Sequence, residues 1–249
     1  MISLKSSREI QIMQTGGEIL KEVFREVQAA VEPEITTGDL DQIAEKVILR
    51  SGGKPAFKGY RGFPRTACIS VNEEVVHGIP GKRKLKVGDI VSFDIGVIVD
   101  GYYADAARTW PVGEISESNQ RLVKAAKAAL DAGLRAYKPG CRIGDLSANI
   151  QQQIEADGFQ VVRDYVGHGI GRALHEEPQV PNYGKPGHGP KIEAGLVLAI
   201  EPMVTEGHYA VETLEDGWTV VTQNRKMASH YEDTIAFLED HYVNLTGEG

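Results

Sequence analysis

Cysteine is scarce: Cys68 and Cys141 are the only two in 249 residues, too few for a disulfide framework or a thiolate zinc module. The opening stretch, residues 1–9, lacks the apolar core of a secretory signal. A reduced, cytoplasmic setting is expected. No apolar run is long enough to cross a bilayer, because Asp94 and Glu201 interrupt the two most hydrophobic stretches. Positive charge is also in deficit, with 27 Lys and Arg against 35 Asp and Glu and a formal net charge of -8. A field of that sign repels phosphate, which argues against general nucleic-acid or anionic-membrane binding. The cluster Lys82, Arg83, Lys84 and Lys86 lies between expected strands and reads as a solvated loop. What remains is ordinary globular composition, 41% hydrophobic and 25% charged, with length for one large core or two fused halves.

The hydrophobic pattern predicts a helix from Ser6, where Ser6 and Glu9 make a capping box and Ile10, Met13, Leu20, Phe24 and Val27 recur at helical spacing. A second helix is expected from Thr37 to Arg50, stopped by Ser51, Gly52 and Gly53. Strands are expected over Thr66 to Val71 and Ile90 to Val99. A long helix follows from about Glu117 to Tyr137, then, past Pro139 and Gly140, another from about Gly144 to Ala156.

The chain then repeats itself. Pro33, Gly38, Asp39, Leu40, Ile48 and Gly52 match Pro139, Gly144, Asp145, Leu146, Ile154 and Gly158, and Leu85, Gly88, Val91 and Asp94 match Ile192, Gly195, Leu198 and Glu201. His77-Gly78-Ile79 recurs as His168-Gly169-Ile170. Helix starts and turns reuse Gly, Asp and Pro, so single coincidences mean little; matched order across three segments means more. An α+β fold is expected, with pseudo-twofold symmetry and a curved antiparallel sheet covered on its outer face by helices. Residues 1–249 are read as one catalytic domain of two halves, about 1–112 and 113–249.

Acidic residues carry the chemistry. Asp100-Gly101 predicts a tight hairpin turn, and its register sets Val99 opposite Tyr102 and Asp94 opposite Ala107. Asp105, two residues from Ala107, then shares a sheet face with Asp94, their Cβ atoms about 7 Å apart. Strand acids are usually solvated, but Ile90, Val91, Phe93 and Ile95 surround Asp94, and burying an unpaired carboxylate costs several kcal/mol. Glu201, in Leu196 to Pro202, repeats the anomaly, and Glu232 follows in Ser229 to Ile235. Four carboxylates gathered without a cation would raise one another's pKa, so a metal site is the economical explanation. His168, flanked by Gly167 and Gly169, would more often be structural if it stood alone; the order His168, His175, Glu201 raises its standing as a ligand.

These segments resemble the methionine aminopeptidases, whose architecture is called the pita-bread fold. The resemblance rests on Cys68 to Glu73, His77-Gly78-Ile79-Pro80, Asp94 with Asp105, Gly167 to Gly171, His175-Glu176-Glu177-Pro178, Glu201-Pro202-Met203 and Gly217-Trp218-Thr219, and covers nearly the whole chain. It implies five metal ligands, Asp94, Asp105, His168, Glu201 and Glu232, holding two divalent ions, with Mn, Fe, Co or Zn all compatible with such donors. It implies catalytic roles for His77 and His175, which are not ligands, and for Glu201 as proton shuttle. The methionine pocket would use Tyr60, Phe63, Cys68, His77, Leu174, His175 and Trp218, although Tyr60, Phe63 and Trp218 would pass equally as core aromatics. Phe57, Phe63 and Leu174 depart from the common bacterial pattern, where Cys, Tyr and Phe are frequent. Only 26 positions separate His175 from Glu201, which leaves no room for the insertion of type II relatives, so the resemblance is to bacterial-style type I enzymes without an N-terminal zinc extension. Implied partners are nascent protein N-termini or peptides with a small second residue, with transient ribosome proximity, and the chain is expected to be a monomer. Two other readings stay open, a proline-directed aminopeptidase or prolidase of the same fold and a non-catalytic binding relative.

Overall fold

The computed structural model describes residues 2–247. At its first helix the Ser6 hydroxyl accepts from the Glu9 N–H at 3.4 Å, and the Glu9 carboxylate accepts from the Ser6 N–H at 2.8 Å. This reciprocal cap starts α1, Ser7–Ala30, where the sequence placed it. Thr36 and Asp39 cap α2, Thr37–Arg50, in the same way. The third helix, α3, spans Glu117–Arg135 and stops two residues short of Tyr137. A tertiary contact wins there: the Tyr137 hydroxyl donates to the Leu238 carbonyl at 2.6 Å, and its ring lies 4.8 Å from that of Phe237. The fourth, α4, spans Ile143–Ala156, with the Asp145 carboxylate accepting from the Arg142 N–H at 2.7 Å.

Each helix pair covers one face of a sheet. Leu20, Val23, Phe24 and Val27 of α1 and Leu40, Ala44 and Val47 of α2 pack on Val91, Phe93, Ile95 and Val97, the odd-numbered residues of strand Ile90–Val99. Alternation then turns Asp94 to the opposite face. In the second half Leu122, Ala126, Leu130, Leu146 and Ile150 pack on Leu198, Ile200, Ile235 and Phe237. Glu201 follows one position after Ile200 and is likewise turned from the helices.

All strand pairings are antiparallel, as expected, but they fall into four hydrogen-bonded sheets. The largest orders Tyr242–Asn244, Asp233–Phe237, Val197–Ile200, Gly167–Gly169 and Glu176–Val180. The other large sheet centres on Ile90–Val99 and Tyr102–Pro111. A bridge between Ala107 and Glu232 joins these two. The repeat is visible in backbone detail. Thr36 bridges Lys84 as Arg142 bridges Lys191, and Gly38 N–H donates to Gly81 O as Gly144 N–H donates to His188 O. A Cβ on Gly144 would stand 2.4 Å from Lys185 O, so this close approach requires glycine. The basic loop pairs outward, Arg83 with Glu74 at 2.7 Å and Lys84 with Glu34 at 2.8 Å.

One buried ion pair supports the seam. Arg108 and Asp233 meet at 2.7 Å with side chains 3% exposed, and Arg108 also donates to Glu232 O at 2.7 Å and Thr246 O at 3.0 Å. Its guanidinium lies 4.7 Å from the Phe24 ring centroid and 4.3 Å from that of Tyr231. Removing one partner of a buried pair strands the other charge, at about 3–5 kcal/mol. Arg108→Leu should therefore lose about that much in urea unfolding, and Arg108→Leu/Asp233→Leu should recover part of it. A single variant as stable as the parent would mean that the pair contributes nothing.

Candidate metal centre and substrate cavity

The hairpin that carries two of the acids turns at Asp100 and Gly101, both with positive φ, 48° and 79°. Its register sets Val99 opposite Tyr102 and Asp94 opposite Ala107, as the sequence predicted. Asp105 stands opposite Gly96 and is 4% exposed. Glu232 approaches from the second half, held by paired hydrogen bonds in which Ala107 N–H donates to Glu232 O at 3.1 Å and Glu232 N–H to Ala107 O at 3.0 Å. Glu201 follows strand Val197–Ile200, and Asn182 donates its amide to the Glu201 carbonyl at 3.0 Å.

His168 lies on strand Gly167–Gly169. A Cβ on Gly169 would come within 2.3 Å of Glu177 O, and one on Gly167 within 2.4 Å of Ala199 O, so the flanking glycines let neighbouring backbone approach. The His168 Nδ1 is 2.9 Å from Gly169 O, which fixes that nitrogen as the donor and leaves Nε2 free, 3.6 Å from Glu201 Oε1. Ligand atoms of Asp105, His168 and Glu232 all lie within 4.8 Å of one another.

Burial raises every carboxyl here. Asp94 is held well above the usual range by desolvation, then by Asp105 and Glu201. Desolvation pushes Asp105 up to about 7 against hydrogen bonds from the Ala106 N–H and Asp94. Glu201 and Glu232 rise for the same first reason, then through Asp105. The imidazoles move the other way: burial, then His175, lowers His77 and His168 to about 4, and burial lowers His230 to about 3. Asp94 Oδ1, Asp105 Oδ1 and Glu232 Oε1 are buried without a hydrogen-bond partner. Three orphaned carboxylate oxygens in one place fit cations, and a carboxylate-rich set with one imidazole fits first-row divalent metals.

Beside the acids opens a cavity of about 160 Å³. Tyr60, Phe63, Cys68, His77, Leu174, His175 and Trp218 all line it, with Phe57 and Arg61. Phe63 meets Trp218 edge-on at 5.1 Å, and Asp216 pins the Trp218 loop by accepting from Trp218 and Thr219 N–H at 2.8 Å each. His175 is fixed through Nδ1, 2.8 Å from the Tyr60 hydroxyl, and its ring centroid lies 4.2 Å from that of His168. Glu176 next to it pairs with Lys5 at 2.5 Å, which ties the His175 loop to the N-terminal segment. His77 has φ 61° and so leaves the extended path that His168 keeps. The buried Cys68 thiol is pushed up by desolvation and the nearby acids, so it is a wall and not a nucleophile.

The structure thus brings together around one cavity all twelve residues that the sequence and the resemblance singled out. Three further residues were not assigned a role: Arg61 at the cavity wall and, behind the acids, Asn182 on the Glu201 carbonyl and His230 beside Glu201 and Glu232. For His230 a signal existed, since it stands two positions before Glu232 and an extended chain turns alternate residues to one face.

Residues 11–239 match the family described as Metallopeptidase family M24. The chain is 52% identical over 246 residues to the methionine aminopeptidase of Clostridium perfringens, with 99% of each covered. It superposes on a crystal structure of methionine aminopeptidase from Thermotoga maritima with a TM-score of 0.97 and 46% identity, covering 100% of both chains. Prolidase from Pyrococcus furiosus, at 22% identity and a TM-score of 0.80 over 66% of its chain, shares the fold alone. No helix among the described residues is long and apolar enough to cross a membrane.

The raised carboxyls make a pH prediction. A carboxyl that holds its proton more tightly folded than unfolded stabilises below its unfolded pKa and loses that contribution as pH rises through the folded one. Above about pH 7.5 the histidines are almost wholly neutral in both states, so the acids set the slope. Metal-free protein should therefore melt at progressively lower temperature from about pH 7.5 to pH 9, and saturating Mn or Co should flatten that dependence. Equal slopes with chelator and with metal would contradict it.

Proposed function

The chain belongs to metallopeptidase family M24, and we infer that it hydrolyses the N-terminal methionine from proteins and peptides whose second residue is small. The observation that carries this reading is the set of orphaned buried oxygens on Asp94, Asp105 and Glu232 beside a partly apolar cavity open to a single side chain. Asp94, Asp105, His168, Glu201 and Glu232 would hold two divalent cations. Such a pair supplies Lewis-acid polarisation of the scissile carbonyl and makes water nucleophilic near neutral pH.

The chain's own groups do the rest. Tyr60, Phe63, Cys68, Leu174 and Trp218 receive the methionine side chain and exclude water from it. Glu201 takes a proton from the attacking water and passes it to the leaving amine. His175, one ring nitrogen committed to Tyr60, presents the other to the oxyanion of the tetrahedral intermediate. His77 hydrogen-bonds the substrate amide nitrogen as it becomes a leaving group. The whole chain acts as one catalytic unit of two halves, about 1–112 and 113–249. Nascent N-termini as substrates fit a cytoplasmic setting with transient proximity to ribosomes, and the chain would act as a monomer.

Two experiments test this. With Mn, Fe, Co or Zn restored to metal-free protein, a Met-Ala-Ser peptide should be cleaved and Met-Leu-Ser spared; comparable rates on the two would refute the substrate assignment. Second, His77→Ala should keep its metal and lose about 10² to 10⁴ in turnover, the usual worth of one positioned proton-transfer or hydrogen-bonding group. His168→Ala should instead lose metal affinity first. Metal depletion in His77→Ala, or parental turnover, would show this division of roles to be wrong.

A further inference from the structure

His230 is a buried histidine for which the chemistry above has no use. It is 1% exposed, and neither Nδ1 nor Nε2 has a hydrogen-bond partner. Burying a polar ring without partners costs free energy, so an unpartnered imidazole at full burial marks an interaction to be completed. The ring does not line the cavity; it stands behind the acids, with Nε2 4.0 Å from Glu201 Oε2 and 4.0 Å from Glu232 Oε2.

Its backbone cannot drift. His230 belongs to strand Ala228–His230 and pairs with Met203. Its N–H donates to Thr109 Oγ1 at 3.1 Å, and the same hydroxyl donates to its carbonyl at 2.7 Å. Four ångströms is beyond a hydrogen bond, and a small rotation of either carboxylate closes it. An imidazole carries an N–H in either protonation state, so it can donate to whichever oxygen turns away from a cation.

We propose that His230 is a positioning residue of the metal centre, its ring N–H orienting the outer oxygens of Glu201 and Glu232 so that their inner oxygens converge on the cations. The proposal rests on the metal-centre reading given above. Outer partners of this kind typically change metal affinity by about 10- to 100-fold.

The test uses Co(II) alone, titrated calorimetrically into metal-free parent, His230→Leu, His230→Gln and His168→Ala, with the Co(II) visible spectrum and far-UV circular dichroism recorded for each. Glutamine keeps an N–H donor; leucine fills similar space without one. His230→Leu should bind Co(II) about 10- to 100-fold more weakly while staying folded. His230→Gln should retain most of the parental affinity and leave the ligand-field bands in place. Should the leucine variant fail to fold, His230→Met makes the same comparison. Parental affinity in the donor-free variant would overturn the proposal, as would equal weakening in both variants. Shifted bands in His230→Gln like those of His168→Ala would overturn it differently, by making the imidazole a direct ligand. A parent that binds no Co(II) would instead remove the metal-centre reading itself, whereas a parent that binds it and a His168→Ala that does not leave that reading standing when His230 alone fails.

Discussion

Four carboxyl groups share one buried space, and their mutual repulsion governs the structure around them. Two like charges 4 Å apart repel by about 4 kcal/mol at the effective dielectric of a protein site, before any cost of desolvation is added. Burial holds the protons of Asp94, Asp105, Glu201 and Glu232 above the ordinary carboxylate range, and repulsion from neighbouring acids adds to it at Asp94, Glu201 and Glu232. A polypeptide that only had to fold would relax them toward solvent. Here the backbone forbids it: strand register fixes Asp94 and Asp105, a bridge to Ala107 fixes Glu232, and Glu201 directly follows a paired strand.

That rigidity comes from a seam between strand Tyr102–Pro111 and the segment from Ala228 to Phe237. Its centre is the reciprocal hydrogen bonding of Ala107 with Glu232. On either side a threonine hydroxyl both donates and accepts. Thr234 Oγ1 donates to Asp105 O at 2.7 Å and accepts from its N–H at 3.0 Å, while Thr109 Oγ1 does the same with His230. Arg108 closes the seam from the helix side, with Asp233 as counter-charge. The seam joins the halves at the level of the acids, so repulsion among them is opposed by backbone hydrogen bonds two residues away.

Much of this was legible because it is local. Asp94 stands out in its strand, since an alternating pattern of apolar residues shows the helix-facing side and leaves the acid on the other. The Asp100-Gly101 turn fixed ten residue pairs at once, and the Ser6–Glu9 capping box marked the start of the first helix. Helix ends were less legible, because Tyr137 leaves α3 for partners a hundred residues away. The division of one expected curved sheet into four hydrogen-bonded sets was hidden for the same reason. His230 was hidden more deeply. Its spacing of two from Glu232 hints at a shared face, but its fixed placement depends on the pairing of Ala228–His230 with Met203–Thr205 and on the Thr109 clamp, both made by residues distant in sequence.

The internal symmetry explains where the site lies, and its failure explains what the site can do. Repeated segments bring Asp94 and Glu201 to equivalent strand positions, so both halves contribute negative charge to one space. The repeated His-Gly-Ile segments then diverge. His168 stays in an extended strand, with Nδ1 committed to Gly169 O and Nε2 turned toward Glu201. His77 takes a left-handed conformation, φ 61°, which lifts its ring out of the strand path to within 6.5 Å of Trp218 at the cavity wall. A strictly symmetric site would present the same groups to both sides of a substrate, and hydrolysis of a peptide bond is not a symmetric event: one side carries the carbonyl that is attacked, the other the nitrogen that leaves. Under the roles proposed for them, the changed backbone torsion at one of two repeated histidines would assign them to different sides.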